Sequence, residues 1–239
     1  MKGRLSSAWL LALVLALAGG QPSLSLADAL PAAASSSASP TSVESGASPI
    51  QADRVWQDAV LLDKAWRLPV AARYKPHLEF QRNLTFCGPT SVANVGHSWG
   101  LPGDQTTMLD GTGIDTVWGY LPTGLTLDQL AGVVRHRFKD RRTTVWRGLD
   151  LPAFRALLLR ANGPDRRYIV NFSRTPLFGK GGGHHSPIAG YLTQEDLVLV
   201  LDVNSDFGPW LVKPERLLAA MNTVDSSSGK PRGLLLIEQ

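Results

Sequence analysis

The sequence contains one cysteine, Cys87, which is followed by the turn-forming pair Gly88-Pro89. A cysteine attacks carbonyl carbon atoms as its thiolate, and the free N–H groups and positive dipole end of a helix N-terminus stabilise that anion. Gly88-Pro89 followed by the apolar Val92 and Val95 predicts a helix that begins at this point. Cys87 is therefore a candidate nucleophile. The alternative is a buried, unreactive cysteine at the start of a core helix.

A thiolate nucleophile works with an imidazole as general base. The chain has five histidines: His77, His97, His136, His184 and His185. His97 lies ten residues further along the predicted helix, about 15 Å from Cys87, which is too far. His184 and His185 follow three glycines, whose missing side chains leave room for a ligand. Successive side chains of a strand point to opposite faces, so we expect only one of this pair to face the sulfur. A metal-binding histidine pair is the alternative.

The base in turn needs a residue that orients its ring. Asp202 interrupts the apolar run 197–203, and a carboxylate is costly to bury there unless it is paired. In a hairpin that turns near residue 193, position 184 falls opposite position 202, although a register shifted by one to three residues fits equally well. Asn204, on the same strand face, is the alternative, and physical chemistry alone favours Asp202.

The elements that must position these residues are helices first and strands later. A capping box at Thr126-x-x-Gln129 predicts one amphipathic helix. Asp150-x-Pro152 begins another that Gly163 ends, and Lys213-Pro214-Glu215 begins a short third one. Runs typical of strands cover 168–172, 186–192, 197–203 and 233–237. This order predicts an α+β fold, with a helical N-terminal half packed on a C-terminal antiparallel sheet.

Residues 1–29 have the pattern of a secretory signal, with Lys2 and Arg4 ahead of an apolar run and Ala27-Asp28-Ala29 as the cleavage motif. Residues 30–55, rich in Ala, Ser and Pro, predict a disordered linker, and residues 56–239 predict one domain. We expect export, without stable membrane insertion after signal removal; an uncleaved anchor is the alternative. A glycan on the Asn83 glycosylation motif would obstruct Cys87, which favours the bacterial periplasm.

The net charge of +4 and the scattered basic residues argue against a nucleic-acid partner. Four segments together resemble the catalytic domain of the phytochelatin synthase family, relatives of papain-like cysteine peptidases. They are the Gln81-to-Gly88 segment, "GGGHHSPIAGY", "LVLDVN" and "MNTVDSSSGKPRGLLLI". The resemblance implies a papain-like fold.

The resemblance implies a site residue by residue. The family's Cys–His–Asp triad falls on Cys87, His184 and Asp202, and its oxyanion-hole glutamine falls on Gln81. Its pair that grips the γ-glutamyl end of glutathione falls on Asp225 and Arg232. The residue after the catalytic histidine varies within the family's pattern, so no role is carried over to His185.

The implied activity is that of a γ-glutamylcysteine dipeptidyl transferase or hydrolase. It would act on glutathione or another γ-glutamyl peptide through a Cys87 thioester, release glycine and give γ-glutamylcysteine or short phytochelatins. No cofactor is required for this chemistry and no resident metal site is expected. Heavy-metal ions such as cadmium and zinc would enter as activators or as thiolate complexes of the substrate. A homodimer stays open.

The sequence also departs from the plant enzymes of the family. A Cys-rich C-terminal extension and further cysteines are absent, so we expect a bacterial form limited to the catalytic domain. An arginine of the plant pattern is Ser205 here, so we expect hydrolysis or slow transfer rather than processive polymer synthesis. Two other functions compete with this one: an exported papain-like peptidase acting on other peptides, and a non-catalytic metal-binding protein.

Overall fold

The computed structural model describes residues 57–239. The predicted signal sequence (1–29), the predicted linker (30–55) and residue 56 lie outside the described residues. None of the helices within 57–239 combines the length and the hydropathy that a bilayer crossing requires.

Seven α-helices form in the described part of the chain. They are α1 (Ala59–Trp66), α2 (Pro69–Tyr74), α3 (Cys87–Ser98), α4 (Leu127–Arg137), α5 (Leu151–Leu158), α6 (Thr175–Phe178) and α7 (Pro214–Met221). The predicted capping box at the start of α4 is confirmed: Thr126 Oγ1 accepts the Gln129 N–H, and Gln129 Oε1 accepts the Thr126 N–H. The helix predicted at Gly88-Pro89 is α3, which begins one residue earlier, at Cys87 itself. The helix that Asp150 begins ends at Leu158, well before Gly163.

Eight strands accompany these helices. They are β1 (Arg142–Trp146), β2 (Arg166–Ser173), β3 (Gly183–Leu192), β4 (Leu197–Leu201), β5 (Pro209–Val212), β6 (Val224–Asp225), β7 (Lys230–Pro231) and β8 (Gly233–Glu238). Six of them form one antiparallel sheet in the order β1-β8-β2-β3-β4-β5, while β6 and β7 form a separate hairpin. All four predicted strand runs are present; β1, β5 and the β6–β7 hairpin were not predicted.

Helices cover both faces of the sheet. One face packs against α2, α3 and α4, and strand residues such as Ala189 and Leu199 point into this first core. The opposite face packs against α5 and α7, with Ile188 and Val200 pointing into a second core. The α+β fold class is thus confirmed, and the chain adds a second helical layer that the sequence did not predict.

The hairpin of β3 and β4 carries the segments of greatest chemical interest. Ile188 pairs with Val200, and Gly190 pairs with Leu199, so a bulge separates the two pairs. The register therefore differs from the symmetric one in which position 184 faces position 202. Gly190 packs closely at the bulge: a Cβ atom there would lie 2.6 Å from Leu68 Cδ1, so the Leu68 side chain would have to shift.

Candidate active site

Cys87 is the first residue of α3, and only 6% of the residue is exposed. No side chain caps the helix at the preceding residue, Phe86. The first N–H groups of a helix have no intrahelical acceptor, so they and the helix dipole favour a negative charge at this position. One turn later, Ser91 Oγ donates a hydrogen bond to the Cys87 carbonyl at 2.7 Å and so braces the first turn.

His184 and Asp202 lie next to each other in the interior. His184 is the second residue of β3, and Asp202 directly follows β4. The distance between His184 Nε2 and Asp202 Oδ1 is 2.9 Å. The ring N–H does not point along the line between these atoms, so the contact is an ion pair rather than a linear hydrogen bond. The alternative orienting residue, Asn204, instead accepts the Asp206 N–H through Oδ1.

Asp202 is completely buried, and several donors surround its two oxygens. Arg174 donates to Oδ1 through Nη2 at 2.8 Å, and the Asn204 N–H donates to the same oxygen at 2.9 Å. Trp210 Nε1 donates to Oδ2 at 3.1 Å. These contacts make the burial of the carboxylate tolerable. Sequence reasoning missed Arg174 and Trp210, and no local pattern marks either of them.

His185 also meets the sulfur. Its Nδ1 lies 3.7 Å from Cys87 Sγ. His184 acts on the same thiol through its charge and a hydrogen bond, so the expectation that only one histidine of the pair can face the sulfur is wrong. By strand alternation His185 belongs to the face covered by α3, whereas His184 packs edge-to-face against Phe172 on the other face, with 5.6 Å between ring centroids. Both residues lie at the beginning of β3.

The charges of this cluster shift one another's ionisation. Burial alone would raise the pKa of the Cys87 thiol, but the His184 charge and hydrogen bonds with both imidazoles hold that pKa well below its ordinary value. Burial would lower the pKa of His184, yet the negative charges of Asp202 and Cys87 raise it. Burial would raise the pKa of Asp202, but His184 and Arg174 keep it far below its usual range. Together these shifts favour a thiolate–imidazolium pair at neutral pH.

Gln81, six residues before Cys87, is held against the end of β4. Its backbone N–H donates to the Val203 carbonyl at 2.7 Å. The neighbouring backbone is fixed by the buried Gln105, whose side chain accepts the Arg82 N–H and donates to the Phe80 carbonyl. The Oε1 atom of Gln81 is buried without a partner among the described residues. Gln105 was not predicted, since it lies more than twenty residues away in sequence.

Cys87 opens into a cleft of about 240 Å³. His185, Asn171, Asp225 and Arg232 also line it. A larger cavity of about 410 Å³, beside Arg82 and Phe86, contains neither the cysteine nor a histidine. The smaller cleft is therefore the one that bears on the chemistry.

Asp225 and Arg232 face each other in this cleft, with 3.7 Å between Oδ1 and Nη2. Arg232 also donates to the Val224 carbonyl and to Thr223 Oγ1. Its position depends on Gly183, because a Cβ atom there would lie 2.7 Å from Arg232 Nη2. The glycine before the histidine pair thus makes space for a guanidinium.

The other histidines lie away from the cleft. The ring nitrogens of His97 lie 2.6 Å from the Gly103 carbonyl oxygen and 3.0 Å from that of His77. Among residues 57–239, no three His, Cys, Asp or Glu side chains converge in an arrangement that could hold a metal ion.

The structure brings Cys87, His184 and Asp202 together, with Asp225 and Arg232 in the same cleft. It fixes Gln81 through its backbone and adds His185, Arg174, Trp210 and Gln105. The catalytic and binding roles of these residues stay predictions.

Comparison with known proteins gives an extended match to a family model. A family model described as phytochelatin synthase matches residues 57–234. Glutathione gamma-glutamylcysteinyltransferase 3 of Lotus japonicus is 42% identical over 76 residues, which are 31% of this chain and 16% of that protein. Glutathione gamma-glutamylcysteinyltransferase 1 of Triticum aestivum is 36% identical over 115 residues, 47% of this chain and 22% of that protein. The matches thus span about a fifth of these relatives' lengths.

Two of the solved structures with a similar chain course are described as a peptidase domain and a C39-like peptidase. The peptidase domain of Streptococcus ComA has a TM-score of 0.46 at 15% identity, over 67% of this chain and 96% of that one. A C39-like peptidase from Bacillus anthracis has a TM-score of 0.47 at 12% identity, over 68% of this chain and 95% of that one.

Proposed function

Because the chain belongs to the phytochelatin synthase family, we propose that it is a cysteine-dependent enzyme acting on glutathione. It transfers or hydrolyses the γ-glutamylcysteinyl group. The observation that carries the proposal is the arrangement around Cys87. The buried sulfur lies at a helix N-terminus and contacts the His185 imidazole. His184 is paired with Asp202. The sulfur opens into the cleft that Asp225 and Arg232 line.

In the first step, the Cys87 thiolate attacks the carbonyl carbon of the Cys–Gly amide of glutathione. The new C–S bond places negative charge on the carbonyl oxygen, which the Gln81 amide and the Cys87 N–H stabilise. The His184 imidazolium then gives its proton to the departing nitrogen as the C–N bond breaks. Glycine leaves, and a γ-glutamylcysteinyl thioester remains on Cys87.

In the second step, a nucleophile resolves the thioester. Water or the amine of a second glutathione attacks the carbonyl carbon, and His184 accepts the proton of the attacking group. The C–S bond breaks and its electron pair returns to sulfur, which restores the thiolate–imidazolium pair. Water yields γ-glutamylcysteine, whereas the amine yields a phytochelatin one unit longer. Asp202 keeps the imidazolium oriented throughout.

The ion pair of the cleft supports the choice of a γ-glutamyl substrate. A γ-glutamyl group carries a free ammonium and a free carboxylate on one carbon atom. Asp225 and Arg232, 3.7 Å apart, offer the complementary charges. A guanidinium binds a carboxylate through two parallel N–H groups, which fixes the orientation as well as the charge. An α-peptide bound with its amino end outside the cleft has no use for this pair.

The residue at position 205, where a second glutathione would bind, favours hydrolysis or slow transfer over processive synthesis. Ser205, where the plant pattern has an arginine, is exposed. A serine hydroxyl cannot hold the carboxylates of a second glutathione as a guanidinium can. Incubation with glutathione and cadmium tests this preference. We expect γ-glutamylcysteine and short products; abundant long oligomers in the mass spectrum would contradict it.

Mass spectrometry of the intact protein mixed with glutathione tests the function itself. We expect a mass gain equal to one γ-glutamylcysteinyl group on Cys87, together with free glycine in solution. A Cys87→Ser variant, close in size, should show neither signal. A folded wild-type protein that gives no adduct and releases no glycine would refute the proposal.

Export and metal dependence extend the proposal. When the full-length gene is expressed, cell fractionation should find the protein in the periplasm. The predicted signal, residues 1–29, should have been removed. Metal ions act as activators or through the substrate thiolate, so a chelator should leave basal hydrolysis in place and remove any cadmium-stimulated part. Retention in the cytosol, or loss of basal hydrolysis on chelation, would count against these two points.

A further inference from the structure

His185 is buried beside Cys87 and takes no part in the mechanism described above. Only 2% of the residue is exposed. Its Nδ1 lies 3.7 Å from Cys87 Sγ, a hydrogen-bond distance for sulfur. Its Nε2 is buried and has no partner among the described residues, and the ring lines the same cleft as the sulfur. One ring nitrogen, Nδ1, therefore contacts the sulfur, and the other, Nε2, has no hydrogen-bond partner among the described residues.

Two side chains hold the backbone that carries this ring. Ser91 Oγ lies 3.1 Å from the His185 carbonyl oxygen and 2.7 Å from the Cys87 carbonyl oxygen, so one hydroxyl links α3 to β3 at these two residues. From the neighbouring strand, Asn171 Nδ2 donates to the His184 carbonyl at 3.2 Å. The contact between His185 and the sulfur is thus built into the packing of the helix on the sheet.

The two histidines stand in different electrostatic environments. His184 has the Asp202 carboxylate beside Nε2, and that carboxylate favours the imidazolium form. No described carboxylate forms an ion pair with His185. The charged groups around Cys87 are His184 with Asp202 and Arg174 behind it, and Asp225 with Arg232 across the cleft. An Nδ1–H of His185 can donate a hydrogen bond to an anionic sulfur at this distance of 3.7 Å.

We propose that His185 is a second imidazole partner of Cys87, which donates an Nδ1–H hydrogen bond to the thiolate beside the His184–Asp202 pair. This inference rests on the role of Cys87 as nucleophile in the proposed function. It gives His185, the residue after the general base, a role different from that of His184. His184 exchanges protons, while His185 stabilises the anion before substrate arrives.

The pH dependence of Cys87 alkylation measures this contact without any substrate. Iodoacetamide is uncharged and reacts with the thiolate, so its rate on the full chain follows the ionised fraction. His185→Phe keeps a ring of similar size and removes the donor. We expect the midpoint of the rate profile to rise by roughly half a pH unit to one unit, since a hydrogen bond to the charged form is lost. The alkaline plateau should stay at the wild-type rate, which reports unchanged access.

Further variants separate the hydrogen bond from packing. His185→Asn places an amide N–H where Nδ1 was and should recover part of the shift. His184→Phe should raise the midpoint further than His185→Phe. The double Phe variant should approach the value of a free cysteine, about 8.5.

Two results would overturn the inference. One is a His185→Phe profile that superposes on the wild type. The other is a midpoint shift that is equally large in His185→Asn and His185→Phe, with both alkaline plateaus at the wild-type rate. Because no glutathione is used, the two proposals fail separately. A protein inactive on glutathione can still show the shift, and an active one that lacks the shift loses only the role of His185.

Discussion

The Asp202 carboxylate and the His184 imidazole form an ion pair in the interior, with 2.9 Å between Oδ1 and Nε2 and side-chain exposures of 0% and 5%. At 0% exposure the carboxylate is not accessible to bulk solvent. It therefore acts on the ring, on Arg174 and on the Trp210 N–H.

Replacing Asp202 by Asn keeps the size and removes the charge. His184 would lose the anion that favours its protonated form, and we expect kcat on glutathione to fall by roughly 100-fold to 10,000-fold, as in related triads. Steady-state glycine release measures the effect. Asp206→Asn, an exposed neighbour, serves as the control and should be near wild type. Equal activities of the two variants, with both folded, would contradict a role for the buried carboxylate.

The opposite pKa shifts of Cys87 and His184 predict a bell-shaped pH profile for kcat/KM. The Cys87 pKa is lowered, so the acid limb should lie well below the ordinary thiol value of about 8.5. The His184 pKa is raised, so the alkaline limb should lie above the ordinary value of about 6.5. Below the first pKa the sulfur is protonated, and above the second no proton is left for the departing glycine. An acid limb near the ordinary thiol value would contradict the ion pair.

Arg232→Ala removes the cation that we assign to the substrate carboxylate. Loss of such a buried, charge-assisted contact costs about 2 kcal/mol or more, or roughly 30-fold in kcat/KM. Glutathione turnover should fall accordingly, while alkylation of Cys87 stays unchanged. Arg216→Ala, at an exposed position of α7, is the matched control. If Arg232→Ala lost no glutathione turnover, an ordinary peptidase cleaving α-peptides would become the better description.

Gly183→Ala tests the position of the Arg232 guanidinium without replacing Arg232 itself. The added Cβ atom would lie 2.7 Å from Arg232 Nη2, so the side chain must move. We expect kcat/KM for glutathione to drop by about tenfold, as for a loss of about 1.4 kcal/mol. Gly182→Ala is the control, because a Cβ atom there has no heavy atom within 4 Å. Similar losses in the two variants would point to loop backbone effects instead.

The sequence was informative wherever a signal is local. The capping box of α4 depends on two residues three positions apart, and the start of α3 depends on Gly88-Pro89; both were found. The partners of Asp202 were not found, because Arg174 and Trp210 reach it only through the order of strands and the packing of the second helical layer. Long-range neighbours of this kind leave no spacing pattern in one sequence.

The prediction for the histidine pair failed for a different reason. Alternation along a strand was applied correctly, and the two rings do start from opposite faces. It did not anticipate that Cys87 lies across the very beginning of β3, where both faces are within reach. The β3–β4 register was also not predictable, since the bulge between Ile188 and Gly190 packs against Leu68, which precedes α2 and is distant in sequence.

The helix start that holds Cys87 and the strand start that holds its imidazoles are almost a hundred positions apart in sequence and are bridged by the Ser91 hydroxyl. An unfolded chain consequently carries an ordinary thiol, mostly protonated at neutral pH. Sulfur reactivity is acquired at the moment the first helical layer docks on the sheet. The rate of thiol labelling during refolding therefore reports when this docking takes place.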